Sequence, residues 1–140
     1  MADKAPALPP EGFSVWPSKG PFVPSFATIF FRADGERLIF GLKVQPLHCN
    51  AGGIAHGGFI ATLADVWLGN SVAHRMPESA RFVTSSLSVD YLKPVHPGTW
   101  IESTIDRIKI GTRLCHASGA ILGDGEPVAA MRATFALLAR

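Results

Sequence analysis

Residues 57–75, GGFIATLADVWLGNSVAHR, decide how the rest of the chain is read. Ile60, Leu63, Ala64, Trp67 and Ser71 recur at helical spacing and line one face. Met76-Pro77 ends the run, because proline has no N–H to donate and clashes with the preceding turn. The spacing predicts a helix over 57–75. Between residues 57 and 73 the only charged side chain is Asp65. A surface helix normally sets a polar face opposite its apolar one, and this helix has none. A helix apolar on all sides is enclosed, by its own sheet or by a partner subunit.

Outward from the helix the texture is that of strands. Residues 26–32 (FATIFFR) and 37–44 (RLIFGLKV) are rich in β-branched and aromatic residues, with Asp34-Gly35 as a hairpin turn between them. Residues 45–56 (QPLHCNAGGIAH) form a loop. Four further strands are expected at 82–92, 99–110, 113–122 and 127–138, separated by Pro- and Gly-bearing turns. In the first of these, Leu87, Val89 and Tyr91 point one way and Ser86, Ser88 and Asp90 the other. In the second, the apolar phase slips between Ile105 and Ile108, which predicts a bulge. Two strands, one helix and four strands give an α+β chain. One helix cannot cover both faces of a doubly wound parallel sheet, so an antiparallel sheet of about six strands packed on a central helix is the economical solution.

Composition sets the frame for function. The chain has 140 residues, 47% hydrophobic and 17% charged, and a net charge of +2. That fits one domain with a real core and argues against disorder. It also argues against a nucleic-acid binder that neutralises many phosphates. No apolar run reaches a membrane span, and MADKAPALPPEGF lacks the apolar stretch of a secretory signal. Two cysteines, Cys49 and Cys115, suit a reducing compartment, so a cytoplasmic location is expected. Residues 1–25 hold six of the eleven prolines and predict no regular element. Phe13, Trp16 and Phe22 lie among them, so this segment is expected to pack on the domain formed by residues 26–140.

The lone carboxylate is the first chemical signal. Asp65 has Ala61, Thr62, Leu68 and Gly69 as its neighbours one turn away. Burying a polar group without a partner costs on the order of 2–7 kcal/mol, so a carboxylate kept here suggests work as a general base. The helix start is the second signal. His56-Gly57-Gly58 exposes first-turn N–H groups that have no intrahelical partner. Fixed donors at the positive end of a helix describe an oxyanion site. A carboxylate and such a donor together suit acyl transfer. From His56 to Asp65 the helix rises about 13 Å, too far for both to touch one carbonyl. Either they serve different purposes or two subunits share the site, and the enclosed helix favours sharing.

The pattern Asn50-x5-His56-Gly57-Gly58-x6-Asp65 resembles the signature of the hotdog-fold acyl-CoA thioesterases, in particular the phenylacetic-acid-degradation (PaaI-like) group. The block Thr84-Ser85-Ser86-Leu87-Ser88-Val89-Asp90-Tyr91-Leu92-Lys93-Pro94, then Gly98, is similar to that family's strand after the helix. Lys109-Ile110-Gly111-Thr112-Arg113 and the Gly125 to Ala130 region resemble its closing strands. The resemblance implies a long helix wrapped by a curved antiparallel sheet, in dimers and commonly tetramers. It implies hydrolysis of acyl-CoA thioesters, with no metal and no cofactor beyond the substrate's coenzyme A. It casts Asp65 as general base or nucleophile and the Gly57 N–H as the group polarising the carbonyl. Asn50 would orient the thioester or the water, His56 would hold the loop, and Thr84 would stand near the attacking water. Asp65 and Thr84 would face Asn50, His56 and Gly57 of the other subunit.

Other chemistries fit less well. His48, Cys49 and His56 are close in sequence but lack a C-x-x-C or H-E-x-x-H spacing for a metal. No G-x-S-x-G elbow is present, and Cys49 has no evident charge partner. Lys93, Lys109 and Arg113 are the candidates for coenzyme A phosphates. Leu68 and Gly69 beside Asp65 leave room for a bulky or aryl acyl group. The alternative function is a non-catalytic acyl-CoA-binding or regulatory domain, which would not need the carboxylate.

Overall fold

The computed structural model describes residues 8–138. A single helix, α1 (Gly57–His74), lies against a curved antiparallel sheet of seven strands. The strands are β1 (Ser14–Val15), β2 (Phe30–Asp34), β3 (Arg37–Lys43), β4 (Phe82–Tyr91), β5 (Trp100–Ile110), β6 (Leu114–Gly123) and β7 (Glu126–Leu137). Their order in the sheet is β1-β2-β3-β5-β6-β7-β4, so β4 is an edge strand paired, among the described residues, only with β7. Among the described residues no helix is long and apolar enough to cross a membrane.

The sheet exceeds the expected six strands by β1, which the sequence does not advertise. Its two residues have no periodicity, and they pair only because Ser14 and Val15 meet Phe31 and Phe30 at the edge of β2. The neighbouring Val23–Ser25 forms a 3-10 turn, a second regular element in the proline-rich stretch. That turn also shortens the first long strand. Phe26 and Ala27 donate back to the Val23 carbonyl, so extended pairing begins at Phe30 rather than residue 26. Trp16 then anchors the segment. Its ring meets Phe31 and Phe40 edge-on at 5.0 Å each, and its backbone N–H donates to the Ile29 carbonyl.

The helix buries the stripe read from the sequence. Leu63, Ala64, Trp67, Leu68 and Val72 are fully enclosed against Phe40, Ile101, Ile121 and Phe135 of the sheet. Each large side chain buried this way contributes roughly 1.5–3 kcal/mol. The opposite face (Thr62, Asp65, Val66, Gly69, Asn70) is only half-buried, because the edges of the sheet leave a channel along it. Enclosure on all sides is therefore not supplied within one chain.

Register shifts interrupt the sheet in β4, in β5 and, between Ile121 and Leu122, where β6 pairs with β7; the first two bear on the site. The expected one in β5 falls between Ile105 and Arg107. There the Thr104 carbonyl comes so close to Gly119 that a Cβ would meet it at 2.1 Å, so β6 needs glycine at this position. The second lies between Thr84 and Ser86 in β4. Regular alternation would place Thr84 on the same side as Ser86, away from the helix. The extra residue turns Thr84 inward, opposite Phe135.

Candidate active site

A groove of about 490 Å³ runs along the open face of α1. Asp65 and Gly69 line it from the helix, Thr84 and Phe82 from β4, and Phe135 from β7. Asp65 is held there: Thr84 Oγ1 donates to Asp65 Oδ1 at 2.6 Å. Because the hydroxyl gives its proton to this oxygen, Oδ2 remains to accept a proton from a water or to attack a carbonyl. Leu68, expected beside Asp65, does not line this groove but sits fully enclosed in the core. Three residues along a helix turn it roughly 60° back, here toward the sheet, whereas four bring Gly69 over Asp65. The apolar wall is made instead by Val66, Phe82 and Phe135. Trp16, Pro17, Ser18 and Lys19 close the far side, a role the proline-rich composition did not reveal.

The helix start opens on a separate groove of about 350 Å³, lined by Asn50, Gly57, Tyr91 and Lys93 among others. His56 is the N-cap, and its Nδ1 accepts from the Gly58 N–H at 2.8 Å. The His56 carbonyl accepts from Phe59 and Ile60 N–H at 3.0 and 3.1 Å. Of the four first-turn donors, only the Gly57 N–H has no acceptor among the described residues. Asn50 completes the rim. Its Oδ1 accepts from the Gly52 N–H at 3.0 Å and the Ile54 N–H at 3.4 Å, which leaves the side-chain NH₂ available to a ligand.

Tyr91 is the site residue the sequence reading passed over. Its hydroxyl donates to the Gly57 carbonyl at 2.6 Å, and its ring lies over the glycine. The alternation of β4 groups Tyr91 with the apolar Leu87 and Val89, and a phenol in that row was the available signal. Lys93 shares this groove but is ion-paired with Glu126, whose carboxyl is held below its ordinary range by the lysine's hydrogen bond and charge. Lys109 stands on the other face of the sheet, and Arg113 in the turn between β5 and β6.

The remaining candidates serve the fold. His48 is buried and stacks on Phe59 at 4.1 Å. Its Nδ1 accepts from the Gln45 N–H at 3.0 Å, and its Nε2 donates to the Phe26 carbonyl at 2.8 Å. Both ring nitrogens are thus occupied by backbone. Cys49 is half-buried beside them, its thiol 3.5 Å from the Gln45 carbonyl.

The comparisons with known proteins agree with this architecture. The sequence profile of the Thioesterase superfamily matches residues 52–129, the span that holds Gly57, Asp65, Thr84 and Tyr91. A Pseudomonas aeruginosa protein that carries the name "putative esterase" is 37% identical over 122 residues, covering 86% of this chain and 90% of its own. The Bacillus halodurans protein BH2602, solved with CoA, is 28% identical and superposes with a TM-score of 0.71 over 79% of this chain and 74% of its own. The phenylacetic acid degradation protein PaaI of Thermus thermophilus shares the fold, with a TM-score of 0.73 at 24% identity over 85% of this chain and 100% of its own. With its single helix in a curved antiparallel sheet and a profile match over more than half its length, the chain belongs to the thioesterase superfamily and has the hotdog fold.

Proposed function

We propose that the protein is an acyl-CoA thioesterase whose active site forms where two copies of the chain meet. The observation that carries this reading is the complementarity of the two grooves. One holds a carboxylate with a free oxygen and an apolar trough but no oxyanion donor. The other holds an N–H without an acceptor and a free amide but no base. Both lie beside β4, whose outer edge is unpaired among the described residues. Antiparallel pairing of β4 with its copy about a two-fold at Leu87–Ser88 would set Thr84 of one chain opposite Tyr91 of the other. Asp65 and the Gly57 N–H would then address one carbonyl.

In this site the thioester carbonyl takes a hydrogen bond from the Gly57 N–H, which strengthens as charge develops on oxygen. The Asn50 amide orients the same group, and His56 fixes the glycine turn by capping the helix. Asp65, held by Thr84, takes a proton from water as the water attacks the carbonyl and passes it to the departing sulfur, so that coenzyme A leaves as the thiol. If Asp65 attacks directly, coenzyme A departs as the thiolate, takes its proton from solvent, and water then hydrolyses the acyl-Asp65 anhydride to free acid. The acyl group lies along the trough past Gly69, against Phe82 and Phe135, a shape suited to an alkyl or aryl chain. Lys93 is the cation nearest the Gly57 groove and would meet the substrate's phosphates in exchange for Glu126. The chemistry needs no metal.

Release of coenzyme A from a panel of alkyl- and aryl-CoAs tests the proposal, with wild type and Asp65→Asn in parallel. Turnover by wild type that is lost in Asp65→Asn supports it. Equal turnover by both removes Asp65 from the mechanism. Tight binding of acyl-CoA with no turnover at all identifies a non-catalytic binding domain. Mixing Asp65→Asn with Asn50→Ala protein tests the sharing, since hybrid pairs restore one intact site.

A further inference from the structure

The groove that holds Asp65 is not uniformly apolar. On α1 its lining follows one stripe: Asp65, Val66, Gly69, Asn70, Ala73 and His74. At about 1.5 Å of rise per residue, Asn70 lies about 7.5 Å beyond Asp65 along the helix and His74 about 13.5 Å. Between them the wall is the ring pair of Phe82 and Phe135, whose centroids are 5.3 Å apart. Across from the helix, Lys19 stands in the N-terminal wall. Asp65 is the only carboxylate in the lining, so the lysine and the histidine face no acid within the groove except the reacting one. Among the described residues the side chains of Lys19, Asn70 and His74 have no hydrogen-bonded or ionic partner. Glu36, which shares a surface depression with His74, forms no ion pair with it.

We infer that the acyl group carries a second carboxylate at its far end, making the substrate an ω-carboxyacyl-CoA of medium chain length; this rests on the thioesterase reading for the reacting end. A plain alkyl tail laid past Gly69 would end against Asn70 and His74 and desolvate polar groups without pairing them. A terminal carboxylate instead accepts from the Lys19 ammonium, the His74 imidazole and the Asn70 amide, and the bonds to the cations are charge-assisted. An extended chain of about eight carbons, advancing about 1.25 Å per bond, ends between Asn70 and His74. Asp65 repels a free carboxylate from its own end of the groove. The substrate therefore has one orientation, with the thioester at Asp65 and the acid at Lys19. Hydrolysis releases a dicarboxylic acid.

Comparison of kcat/KM for suberyl-CoA, octanoyl-CoA and ω-hydroxyoctanoyl-CoA, which share one chain length, tests the inference. Suberyl-CoA is expected to exceed both others by about tenfold, the effect of hydrogen bonds to a charged group. Lys19→Met with His74→Gln should bring the suberyl-to-octanoyl ratio close to one. Lys43→Met with His96→Gln, which makes the same replacements outside the groove, should keep the ratio. A suberyl-CoA value equal to or below that of octanoyl-CoA overturns the inference. So does an ω-hydroxyl that gains as much as the acid, or a preference that survives Lys19→Met with His74→Gln. Calorimetry of the Asp65→Asn protein with suberyl-CoA and octanoyl-CoA reads the same preference without turnover. Suberyl-CoA binding about tenfold tighter supports the inference, and equal binding overturns it, even where wild type hydrolyses neither thioester. Absence of hydrolysis by wild type removes the thioesterase reading alone.

Discussion

Thr84 Oγ1 donates to Asp65 Oδ1 at 2.6 Å, and it reaches that oxygen only because one extra residue in β4 turns it toward the helix. The bond fixes the carboxylate rotamer and leaves one oxygen for chemistry. Asp65→Asn should lower kcat on acyl-CoA by roughly 10²–10⁴, the range for a lost general base. Thr84→Ala should lower it by about tenfold, the equivalent of one hydrogen bond, and Thr84→Ser should restore most of that. Steady-state kinetics on a single acyl-CoA checks all three. A Thr84→Ala protein with wild-type kcat would show that the hydroxyl is incidental.

Tyr91 holds the Gly57 peptide from β4 through its hydroxyl. Tyr91→Phe keeps the ring over the glycine and removes only that bond. Because the side chain is exposed in the single chain, the expected loss of stability is under about 1 kcal/mol by urea denaturation. The expected loss in kcat is larger, about tenfold, since the Gly57 N–H is no longer aimed. Parallel losses in both measurements would instead make Tyr91 a purely structural anchor.

Burial pushes the His48 imidazole below its usual pKa, only partly offset by its bond to the Phe26 carbonyl. The folded protein keeps this ring neutral while the unfolded chain protonates it near pH 6.5. The unfolded state therefore binds more protons as pH falls below that value, and stability falls with it. One such proton gives a slope of at most about 1.4 kcal/mol per pH unit between the unfolded and folded pKa values. Urea midpoints from pH 8 to pH 5 should show this decline in wild type. In His48→Gln the decline should be flatter, although the protein is less stable throughout. An unchanged slope would place the acid sensitivity on another group.

Two substitutions should move stability in opposite directions. Gly119→Ala drives a Cβ into the Thr104 carbonyl, which belongs to the backbone of the β5 bulge and cannot swing aside. A loss of about 1–3 kcal/mol is expected. Ser71→Ala removes a buried hydroxyl that has no hydrogen-bond partner among the described residues, at a helix position that favours alanine. A gain of about 1 kcal/mol is expected. Thermal melts of both proteins against wild type read the signs directly.

The helix, its buried stripe and strands β4 to β7 were legible because their periodicities of 3.6 and 2 extend over ten residues or more, and the shorter β2 and β3 because β-branched and aromatic residues flank the Asp34-Gly35 turn. The β5 bulge was legible because Ile105 and Ile108 break phase within a long apolar pattern. The β4 bulge was not. Thr84, Ser85 and Ser86 are alike in size and polarity, so no slip in phase shows there. Alternation alone points Thr84 outward, and only the family resemblance named it. Leu68 was misplaced by treating the two residues one turn beyond Asp65 as equivalent, although one rotates toward the sheet and the other away. Alternation groups Tyr91 with Leu87 and Val89 but says nothing of Gly57, a contact 34 residues away that no local pattern encodes.

Trp16 to Lys19 form one wall of the groove that contains Asp65, yet Asp65, the Gly57 N–H and their supports all lie between Asn50 and Tyr91. In the proposed enzyme one wall of the acyl trough is therefore written in a stretch of the gene apart from the means of cleavage, while Gly69, Phe82 and Phe135 form the rest. A lineage could exchange residues 17–19, leaving the Trp16 anchor in place, and shift its substrate range while its reaction machinery stayed untouched.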